Sequence, residues 1–294
     1  MTKVIGISGG TGFCGKEIIK RSVQKNIKVV SYQRSKKKNG DYTVSEFNLE
    51  NVSKIDVSLL DGVDTFVHGA ALVHKKEKST KYQALNFLAT KKLFQMCAEA
   101  GVKKFIFFST VGVYGLTSAT KTVNIKSELA PKNPYSKSKL DAEKFLVENS
   151  SLYGVDVLIL RLPLVFGEEA PGNLGFLKKI INWQVPLPFM GIDNKRSIIS
   201  VETLADIVTD YVLDKIKWQG VELITDPQPL STESIVSKLK KNSRDPNFLF
   251  FVPKKIMKII FIIFRKRKVY EKLFEDLVFE SSQDVLEFVE KELK

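Results

Sequence analysis

Cysteine, histidine and long apolar runs are all scarce in this 294-residue chain. Its two cysteines, Cys14 and Cys97, are too few for a disulfide framework, which indicates a reducing, cytoplasmic setting. Its two histidines, His68 and His74, lack the neighbouring cysteines of a zinc centre, so we expect no metal site. No apolar run approaches the roughly 20 residues that span a bilayer, and the N-terminal MTKVIGISGG lacks the apolar run of a signal peptide.

Positive charge, in contrast, is abundant. The formal net charge is +13 at pH 7, which is compatible with nucleic acid, an anionic membrane or a phosphorylated small molecule as partner. Because no zinc-finger, basic-zipper or RNP pattern accompanies the charge, we expect no nucleic-acid partner. A solvated basic surface accounts for most of the lysines.

Apolar runs and helical patterns alternate along the first half of the chain. The runs are rich in Val, Ile and Phe, as strands buried on both faces are; they are residues 3–8, 28–32, 63–69, 103–110 and 155–161. The helical patterns between them are residues 13–25, 80–99 and 134–150. This alternation predicts an α/β fold, a Rossmann-type doubly wound parallel sheet over residues 1–166.

The second half is less regular. The Gly, Pro and Asn content of GEEAPGNLGF (167–176) predicts a loop. A helix is predicted over 202–216 and a late strand over 220–226. We therefore expect residues 167–294 to form a smaller, helix-rich C-terminal lobe whose elements are interleaved with the sheet.

A glycine-rich loop, ISGGTGFCG, joins the first strand to the first helix. Its GxxGxxG spacing lets the chain turn tightly and lets the backbone approach a pyrophosphate at the helix N-terminus. The position between a strand and a helix is the context that a dinucleotide site requires. The residues that we assign to this cofactor site are Gly9, Thr11, Gly12, Phe13, Cys14 and Gly15.

The end of the second strand bears on which dinucleotide binds. The stretch VVSYQRSKKK contains Arg34 and the lysines 36–38, and the next carboxylate is Asp41. A carboxylate here usually bonds the ribose 2′-hydroxyl of NAD, whereas an arginine accommodates the 2′-phosphate of NADP. We therefore predict NADP, resting on Arg34, with NAD as the alternative.

Tyr135 and Lys139 lie four residues apart, so a helix places them on one face. Asn133 and Pro134 suit the N-cap and first positions of that helix. A tyrosine pKa of about 10 is too high for a base at neutral pH, but a nearby ammonium and a cationic nicotinamide favour the phenolate. Beside a dinucleotide, the pair predicts a phenol that exchanges a proton with substrate.

These features occur together in a known family. The glycine-rich loop, Ser109 and Thr110 at a strand end, and the YxxxK spacing of Tyr135 and Lys139 resemble the extended short-chain dehydrogenase/reductase family. More narrowly, the chain is similar to its NAD-dependent epimerase/dehydratase branch, which acts on nucleotide sugars. GVDTFVHGAA (62–71), LRLPLVFG (160–167) and NKRSIISVETLAD (194–206) carry the resemblance through most of the chain.

The resemblance implies roles for five residues. Thr110 matches the hydroxyl that bonds the substrate oxygen. Tyr135 matches the general acid/base, and Lys139 matches the residue that lowers its pKa and holds the nicotinamide ribose. In the C-terminal lobe, Asn173 and Arg196 match residues that contact the substrate diphosphate, a role that an arginine fork suits geometrically.

Other positions match or depart from the family pattern. Ala70 falls in the segment beside the cofactor, and Asn86 matches a structural asparagine. Asn48 stands where the family usually has an acidic residue near the adenine. Val111 and Gly112 replace the carboxylate pair with which the branch's dehydratases eliminate water, so a 4,6-dehydratase is not expected.

Two polar side chains near the predicted cofactor are interpreted as structural. His68 ends a predicted strand, and we expect it to pack or to form hydrogen bonds rather than to act as a base. A helix N-terminus can lower a thiol pKa, but the family has small or apolar residues at the position of Cys14. We therefore expect Cys14 to serve in packing.

Two chemistries use the same residues. The basic signal at Arg34 favours an NADPH-dependent 4-ketoreductase of a UDP-linked, N-acetylated deoxy sugar for surface polysaccharide. The alternative is an NAD-dependent UDP-sugar 4-epimerase, and a non-catalytic dinucleotide-binding regulator ranks third because the catalytic set is intact. A homodimer is one option for the assembly.

The segment PKKIMKIIFIIFRKRK (253–268) has two interpretations. The one that we favour is a core helix of the C-terminal lobe that ends in a solvated basic turn. The other is peripheral association with an anionic membrane, because a dense apolar run is flanked by cations.

Overall fold

A computed structural model describes residues 2–34, 42–73, 77–240 and 249–292. The lysines 36–38, Asp41 and His74, which the sequence singled out, lie outside these residues. The strands are β1 (Val4–Ser8), β2 (Lys28–Gln33), β3 (Thr43–Glu46), β4 (Thr65–His68), β5 (Lys104–Thr110), β6 (Asp156–Leu162), β7 (Leu164–Phe166), β8 (Leu187–Met190), β9 (Ile198–Ser200), β10 (Gly220–Leu223) and β11 (Leu249–Phe251).

The helices are α1 (Phe13–Gln24), α2 (Ser79–Tyr82), α3 (Ala89–Glu99), α4 (Pro134–Tyr153), α5 (Gly172–Asn182), α6 (Val201–Val212), α7 (Thr232–Lys240), α8 (Lys254–Ile263), α9 (Arg267–Phe274) and α10 (Gln283–Glu292). A π-helical segment, Gln83–Leu88, joins α2 to α3. Short 3₁₀ turns occupy Leu49–Lys54, Val57–Leu60 and Val111–Tyr114.

Seven strands of the described residues form one parallel sheet in the order β10-β6-β5-β4-β1-β2-β3. The five strands expected from apolar runs all belong to it, which confirms the Rossmann-type prediction. The chain reverses direction across the sheet between β1 and β4, and ligands of such sheets bind beyond the carboxyl ends of the strands at that point. The glycine loop leaves the sheet there.

Apolar side chains cover both faces of this sheet, as its uninterrupted apolar strands require. Helices α1, α6 and α10 pack on one face around Ile7, Ile106 and Leu158. Helices α3 and α4 pack on the other face around Phe66 and Phe105. The sheet is therefore held between two helical layers, and its strand ends are left to form the site.

The second half of the chain contributes to the sheet as well as to a separate lobe. The predicted helix over 202–216 is α6, which packs with α1, and the predicted late strand is β10, which pairs with β6. Helices α5, α7, α8 and α9, with the β8–β11 and β7–β9 pairs, surround a third core. The boundary between 166 and 167 stays a prediction.

Two expectations for this lobe are wrong. The loop expected over 167–176 ends early, because α5 begins at Gly172 and buries Leu174 in the lobe core. The favoured interpretation of 253–268 as a core helix fails because α8 buries Met257 while most of its isoleucines face solvent. Among the described residues, no helix is long and apolar enough to cross a membrane.

Candidate active site

A cleft of about 360 Å³ opens at the carboxyl ends of β1, β2 and β4. Its walls come from the glycine loop, the end of β2, the turn that follows β3 and the loop that follows β4. Gly9, Thr11, Gly12, Arg34 and Ala70, all assigned to the cofactor from the sequence, line this one cleft. The structure thus brings together the residues expected at the phosphate and ribose end of a dinucleotide.

The glycine loop has the shape that a pyrophosphate needs. Gly9 has a φ of +82°, and a Cβ at this position would lie 2.8 Å from the backbone nitrogen of Ala70. A Cβ on Gly15 would collide with the carbonyl oxygen of Gly9. Gly12 is the N-cap of α1 and offers no side chain to its first backbone N–H groups. Those N–H groups and the helix dipole suit a diphosphate, so the residues present fit a dinucleotide.

A chain of hydrogen bonds anchors the loop that follows β4. Thr90 donates its hydroxyl proton to the carbonyl oxygen of Asn86 (2.8 Å), so its oxygen accepts from Nε2–H of His68 (2.9 Å). Nδ1 of His68 then accepts from the Ser8 hydroxyl (2.7 Å), which in turn accepts from the backbone N–H of Ala70 (3.4 Å). Burial lowers the pKa of His68 to about 3, so the ring is neutral. This confirms His68 as a structural residue.

Asn86 holds the same loop from the other side. Its Oδ1 accepts from the backbone N–H of Leu72 (2.7 Å), and its Nδ2 donates to the carbonyl oxygen of Leu72 (3.1 Å). Nδ2 also donates to the Ser138 hydroxyl on α4 (3.2 Å). Asn86 therefore ties the wall of the cleft to the helix that carries Tyr135, which explains why an asparagine suits this position.

The far end of the cleft carries charges of both signs. Arg34 is exposed and lines the cleft, while Gln33 before it is buried at the end of β2. Asn48 caps the turn after β3, accepting from the backbone N–H of Glu50 (3.1 Å). Glu50 also lines the cleft, so a carboxylate lies two residues beyond the position where the sequence lacked one. Sequence reasoning missed this residue.

Tyr135 stands at the start of α4, next to the glycine loop. Asn133 caps the helix, its Oδ1 accepting from the backbone N–H of Ser136 (2.9 Å), as expected. The Tyr135 ring lies edge-on to Tyr82 at 6.4 Å between centroids. Although its side chain is partly open to solvent, burial, with smaller contributions from Cys14 and Tyr82, raises the pKa of Tyr135 to about 12.

Lys139 lies one turn further along α4 and is buried. Its Nζ sits 4.0 Å from the centroid of the Phe107 ring. Burial lowers the pKa of Lys139 to about 7, against the opposing effect of Glu143. In the chain alone, therefore, burial raises the Tyr135 pKa, whereas the YxxxK spacing led us to expect that Lys139 lowers it.

Thr110 ends β5, and its hydroxyl organises the turn that follows. Its Oγ1 accepts from the backbone N–H of Gly112 (3.0 Å) as the N-cap of the turn Val111–Tyr114. A Cβ on Gly112 would lie 2.5 Å from Oγ of Ser136, so this turn packs closely on the first turn of α4. A hydroxyl has one proton and two lone pairs, so the Thr110 proton is available to a substrate oxygen.

A buried ion pair that sequence reasoning missed braces the catalytic elements. Arg161 on β6 donates from Nη2 to Oε2 of Glu143 on α4 (2.7 Å), and from Nη1 to the hydroxyl of Tyr114 (2.9 Å). Ser109, next to Thr110, donates its hydroxyl to Oε1 of Glu143. The signal was present as a charged residue inside the apolar strand LILRL, where a charge is rare unless paired.

The two predicted diphosphate contacts occupy different settings in the C-terminal lobe. Asn173 is exposed in the first turn of α5. Arg196 donates from Nη1 to the carbonyl oxygens of Thr117 (2.9 Å) and Glu275 (3.3 Å), and burial lowers its pKa to about 10. These contacts leave Arg196 a well-anchored cation, and its role stays a prediction.

Phe13 and Cys14 begin α1 and are not among the residues that line the cleft. A Cβ on Gly167 would lie 2.7 Å from the Phe13 ring, which also packs with the core of the C-terminal lobe. Burial raises the pKa of the Cys14 thiol to about 11, so this thiol is protonated and packs against the sheet core, as expected. Their direct contact with a dinucleotide stays a prediction.

Known proteins resemble the chain in sequence and in fold. A UDP-glucose 4-epimerase of Vibrio cholerae is 29% identical over 281 residues, which cover 93% of this chain and 86% of the relative. A UDP-glucuronic acid 4-epimerase of Bacillus cereus, solved with NAD, superposes with a TM-score of 0.73 at 20% identity, covering 95% of this chain and 90% of that one. A UDP-glucose 4-epimerase of Thermotoga maritima, solved with UDP-glucose, has a TM-score of 0.72 at 18% identity, covering 95% and 90%.

The two structural likenesses, at such low identity, show the fold. The family is shown by a match of residues 5–217 to the model of the NAD dependent epimerase/dehydratase family. That range includes the glycine loop, Thr110, Tyr135 and Lys139, which the sequence had singled out. The chain is therefore a member of the NAD-dependent epimerase/dehydratase family, an enzyme of the extended short-chain dehydrogenase/reductase type.

Proposed function

We propose that this enzyme is a UDP-sugar 4-epimerase that keeps its dinucleotide through the reaction. The observation that carries the proposal is the position of Tyr135, a proton-handling phenol that lies beside Cys14 at the start of the dinucleotide helix. Thr110 ends β5, which packs against α4, the helix that carries Tyr135. The relative of Vibrio cholerae that matches nearly the whole chain is a UDP-glucose 4-epimerase, which supports this choice.

Three side chains of this chain share the work. Tyr135, as phenolate, would take the proton of the sugar 4-hydroxyl. A dinucleotide held by the glycine loop would supply the acceptor for the hydride of C4. The Thr110 hydroxyl donates a hydrogen bond to the same sugar oxygen. After the 4-keto sugar has rotated in the site, Tyr135 would return its proton to the same oxygen, and hydride would add to the opposite face of C4.

The protonation states of Tyr135 and Lys139 explain why the reaction requires a bound cofactor. In the chain alone burial keeps the Tyr135 phenol protonated, and burial lowers the Lys139 pKa to about 7. A cationic group beside the phenol favours the phenolate. We infer that Tyr135 becomes a competent base when positive charge is present on the cofactor side of α4.

A dehydratase does not fit the same residues. Elimination of water from a 4-keto sugar needs a further acid and base next to the catalytic threonine. Val111 and Gly112 occupy that place, and Gly112 packs against Ser136 without room for a side chain. The chain therefore has the residues for oxidation and reduction at C4.

A specific observation keeps the 4-ketoreductase as the second candidate. Arg34 is exposed at the cleft wall, where a 2′-phosphate of NADP would lie, and a reductase must exchange its cofactor after each turnover. Glu50 on the same wall opposes this, because a carboxylate repels a phosphate. Because Glu50 opposes the phosphate that Arg34 would attract, we propose NAD as the resident cofactor and NADP as the alternative.

The remaining expectations are proposals of the same kind. Asn173 and Arg196 would bind the diphosphate of a UDP-linked sugar, for which the half-buried guanidinium of Arg196 is suited. We propose that the sugar is destined for surface polysaccharide and that the enzyme works in the cytoplasm, where Cys14 and Cys97 stay reduced. A homodimer is part of this proposal and is tested by sedimentation equilibrium.

One purification separates the two reactions. We expect the protein to retain NAD, measurable after denaturation, and to interconvert UDP-glucose and UDP-galactose, or their N-acetylated forms, without added cofactor. A protein that purifies without dinucleotide and oxidises NADPH when given a UDP-4-keto sugar is a reductase and contradicts the epimerase. Arg34→Ala is the matched variant, since it should weaken NADPH binding strongly and NAD binding little if Arg34 meets the 2′-phosphate.

A further inference from the structure

The C-terminal end of α8 presents an apolar surface that the fold itself does not use. Ile259, Ile262, Ile263 and Phe264 are 58%, 51%, 71% and 71% exposed. Met257, earlier in the same helix, is buried in the lobe core. We call the four exposed residues the α8 tip. Exposed apolar groups of this density usually mark an interaction site.

Positive charge surrounds the α8 tip. Residues 253–268 contain seven cations and no carboxylate; the cations are Lys254, Lys255, Lys258, Arg265, Lys266, Arg267 and Lys268. Lys254 pairs with Asp193, and Arg267 pairs with Glu271 (3.0 Å). The segment is therefore apolar at its centre and strongly cationic at its rim, even after these pairs are formed.

We propose that the α8 tip docks the protein on an anionic phospholipid bilayer. A surface helix binds a bilayer by inserting its apolar face at the level of the headgroups, while lysines and arginines meet anionic lipids. The α8 tip supplies the first signal and the cations around it supply the second. Two such signals together give stable but reversible attachment.

The charge pattern favours a bilayer over other occupants. A second copy of this chain, packed isologously on the tip, would bring two identical sets of cations together, and like charges oppose such an interface. A nucleic acid matches the cations, but its interfaces are polar and leave the isoleucines without a partner. A bilayer surface satisfies both the apolar centre and the cationic rim.

The α8 tip lies on a packed base formed by α8 and α9, so its side chains can be changed without disturbing the core. Beneath it, the Tyr270 and Phe274 rings of α9 stack at 5.1 Å, and Phe261 of α8 packs against both. Thr117 donates its hydroxyl to Glu271, which joins α9 to the loop that follows β5. Because the tip side chains point away from these contacts, changing them leaves the core intact.

Sedimentation with lipid vesicles tests the proposal. We expect the full chain to pellet with vesicles of phosphatidylcholine that contain about one third phosphatidylglycerol, and not with phosphatidylcholine alone. Binding should weaken strongly at about 0.5 M NaCl, where surface charges are screened. The double variant Ile263→Ser/Phe264→Ser should reduce the partitioning of the protein onto the vesicles by at least about tenfold, because these two apolar side chains no longer enter the lipid.

A charge variant tests the second signal. Glutamine at four lysines of the rim should reduce partitioning by about fivefold for each charge, since one lysine near an anionic surface contributes about that factor. The four rim lysines are 255, 258, 266 and 268. Four exposed lysines elsewhere, 121, 126, 137 and 144, provide the matched control and should change partitioning little.

The apolar variant needs its own control. Leu152 at the end of α4 is 78% exposed, so Leu152→Ser removes a comparable apolar side chain far from the cations. We expect it to leave vesicle binding unchanged. The proposal is overturned if the unmodified chain fails to pellet with anionic vesicles at low salt. It is also overturned if Ile263→Ser/Phe264→Ser dissociates a dimer while vesicle binding persists, which would assign the tip to a second copy.

Discussion

Replacing Glu143 with methionine leaves Arg161 buried without its carboxylate, and we expect this to cost much of the stability of the fold. Glu143 and Arg161 are 2% and 5% exposed, and their contacts satisfy the guanidinium from two sides. Removing one partner of such a pair typically costs about 3–5 kcal/mol, because the other charge stays buried and uncompensated. Domains of this kind have a total stability of about 5–15 kcal/mol.

The double variant Glu143→Met/Arg161→Met provides the decisive comparison. Both charges are then replaced by apolar side chains of similar volume, so the dehydration cost of the pair disappears together with its attraction. Apolar replacements of buried pairs are often neutral or stabilising. We therefore expect the double variant to be more stable than Glu143→Met alone, which is the opposite of additive behaviour.

Urea unfolding, followed by tryptophan fluorescence and circular dichroism, measures these differences. With a slope of about 3 kcal/mol per molar urea, the midpoint of Glu143→Met should fall by about 1–1.7 M. Glu169→Gln removes an exposed partner of Lys16 and should leave the midpoint unchanged. The reasoning is refuted if Glu143→Met unfolds at the same midpoint as the unmodified chain, or if the double variant is the less stable of the two.

Three further changes test the site. Tyr135→Phe should abolish turnover while dinucleotide affinity, measured by calorimetry, changes little; retained turnover contradicts its role as general acid/base. Gly15→Ala should lower the melting temperature of the cofactor-free protein, at a cost of about 1–3 kcal/mol, because its Cβ collides with the Gly9 carbonyl oxygen; Gly12→Ala, whose Cβ would lie 3.1 Å from that oxygen, should have the smaller effect. Acid should destabilise the protein through His68, whose folded pKa of about 3 lies below its usual 6.5. The unfolded chain then binds the extra proton, so this contribution is complete above about pH 6.5 and is lost as pH falls toward 3. At pH 5 the stability already lost amounts to about 2 kcal/mol. His68→Val should reduce that part of the pH dependence, and an unchanged dependence in urea titrations would contradict it.

Local pattern was sufficient for the sheet and for the glycine loop. Five of the strands from β1 to β6 were predicted because a strand that is buried on both faces appears in the sequence as a continuous apolar run. Gly9 and Gly15 were recognisable because only glycine permits their backbone approach. The short strands β3, β8, β9 and β11 were missed, since three or four residues carry too little periodicity to detect.

Long-range contacts decided what local pattern could not. The Arg161–Glu143 pair joins residues 18 positions apart on different elements, and no spacing rule connects a strand arginine to a helix glutamate. Glu50 entered the cleft only because β3 places its following turn beside Arg34. The pKa of Tyr135 was expected to be lowered from the YxxxK spacing, yet burial raises it in the chain alone.

The segment 253–268 shows the same division most clearly. Its composition of apolar residues and cations was evident from the sequence, and it allowed either a core helix or a surface helix. Which side of the helix is buried depends on where Met257 and Phe261 find partners in the C-terminal lobe. The sequence by itself determined which segments carry the candidate site: the glycine loop, Thr110, and Tyr135 with Lys139. Only the tertiary structure decided burial, and through burial the ion pair, the protonation of the site and the exposure of the α8 tip.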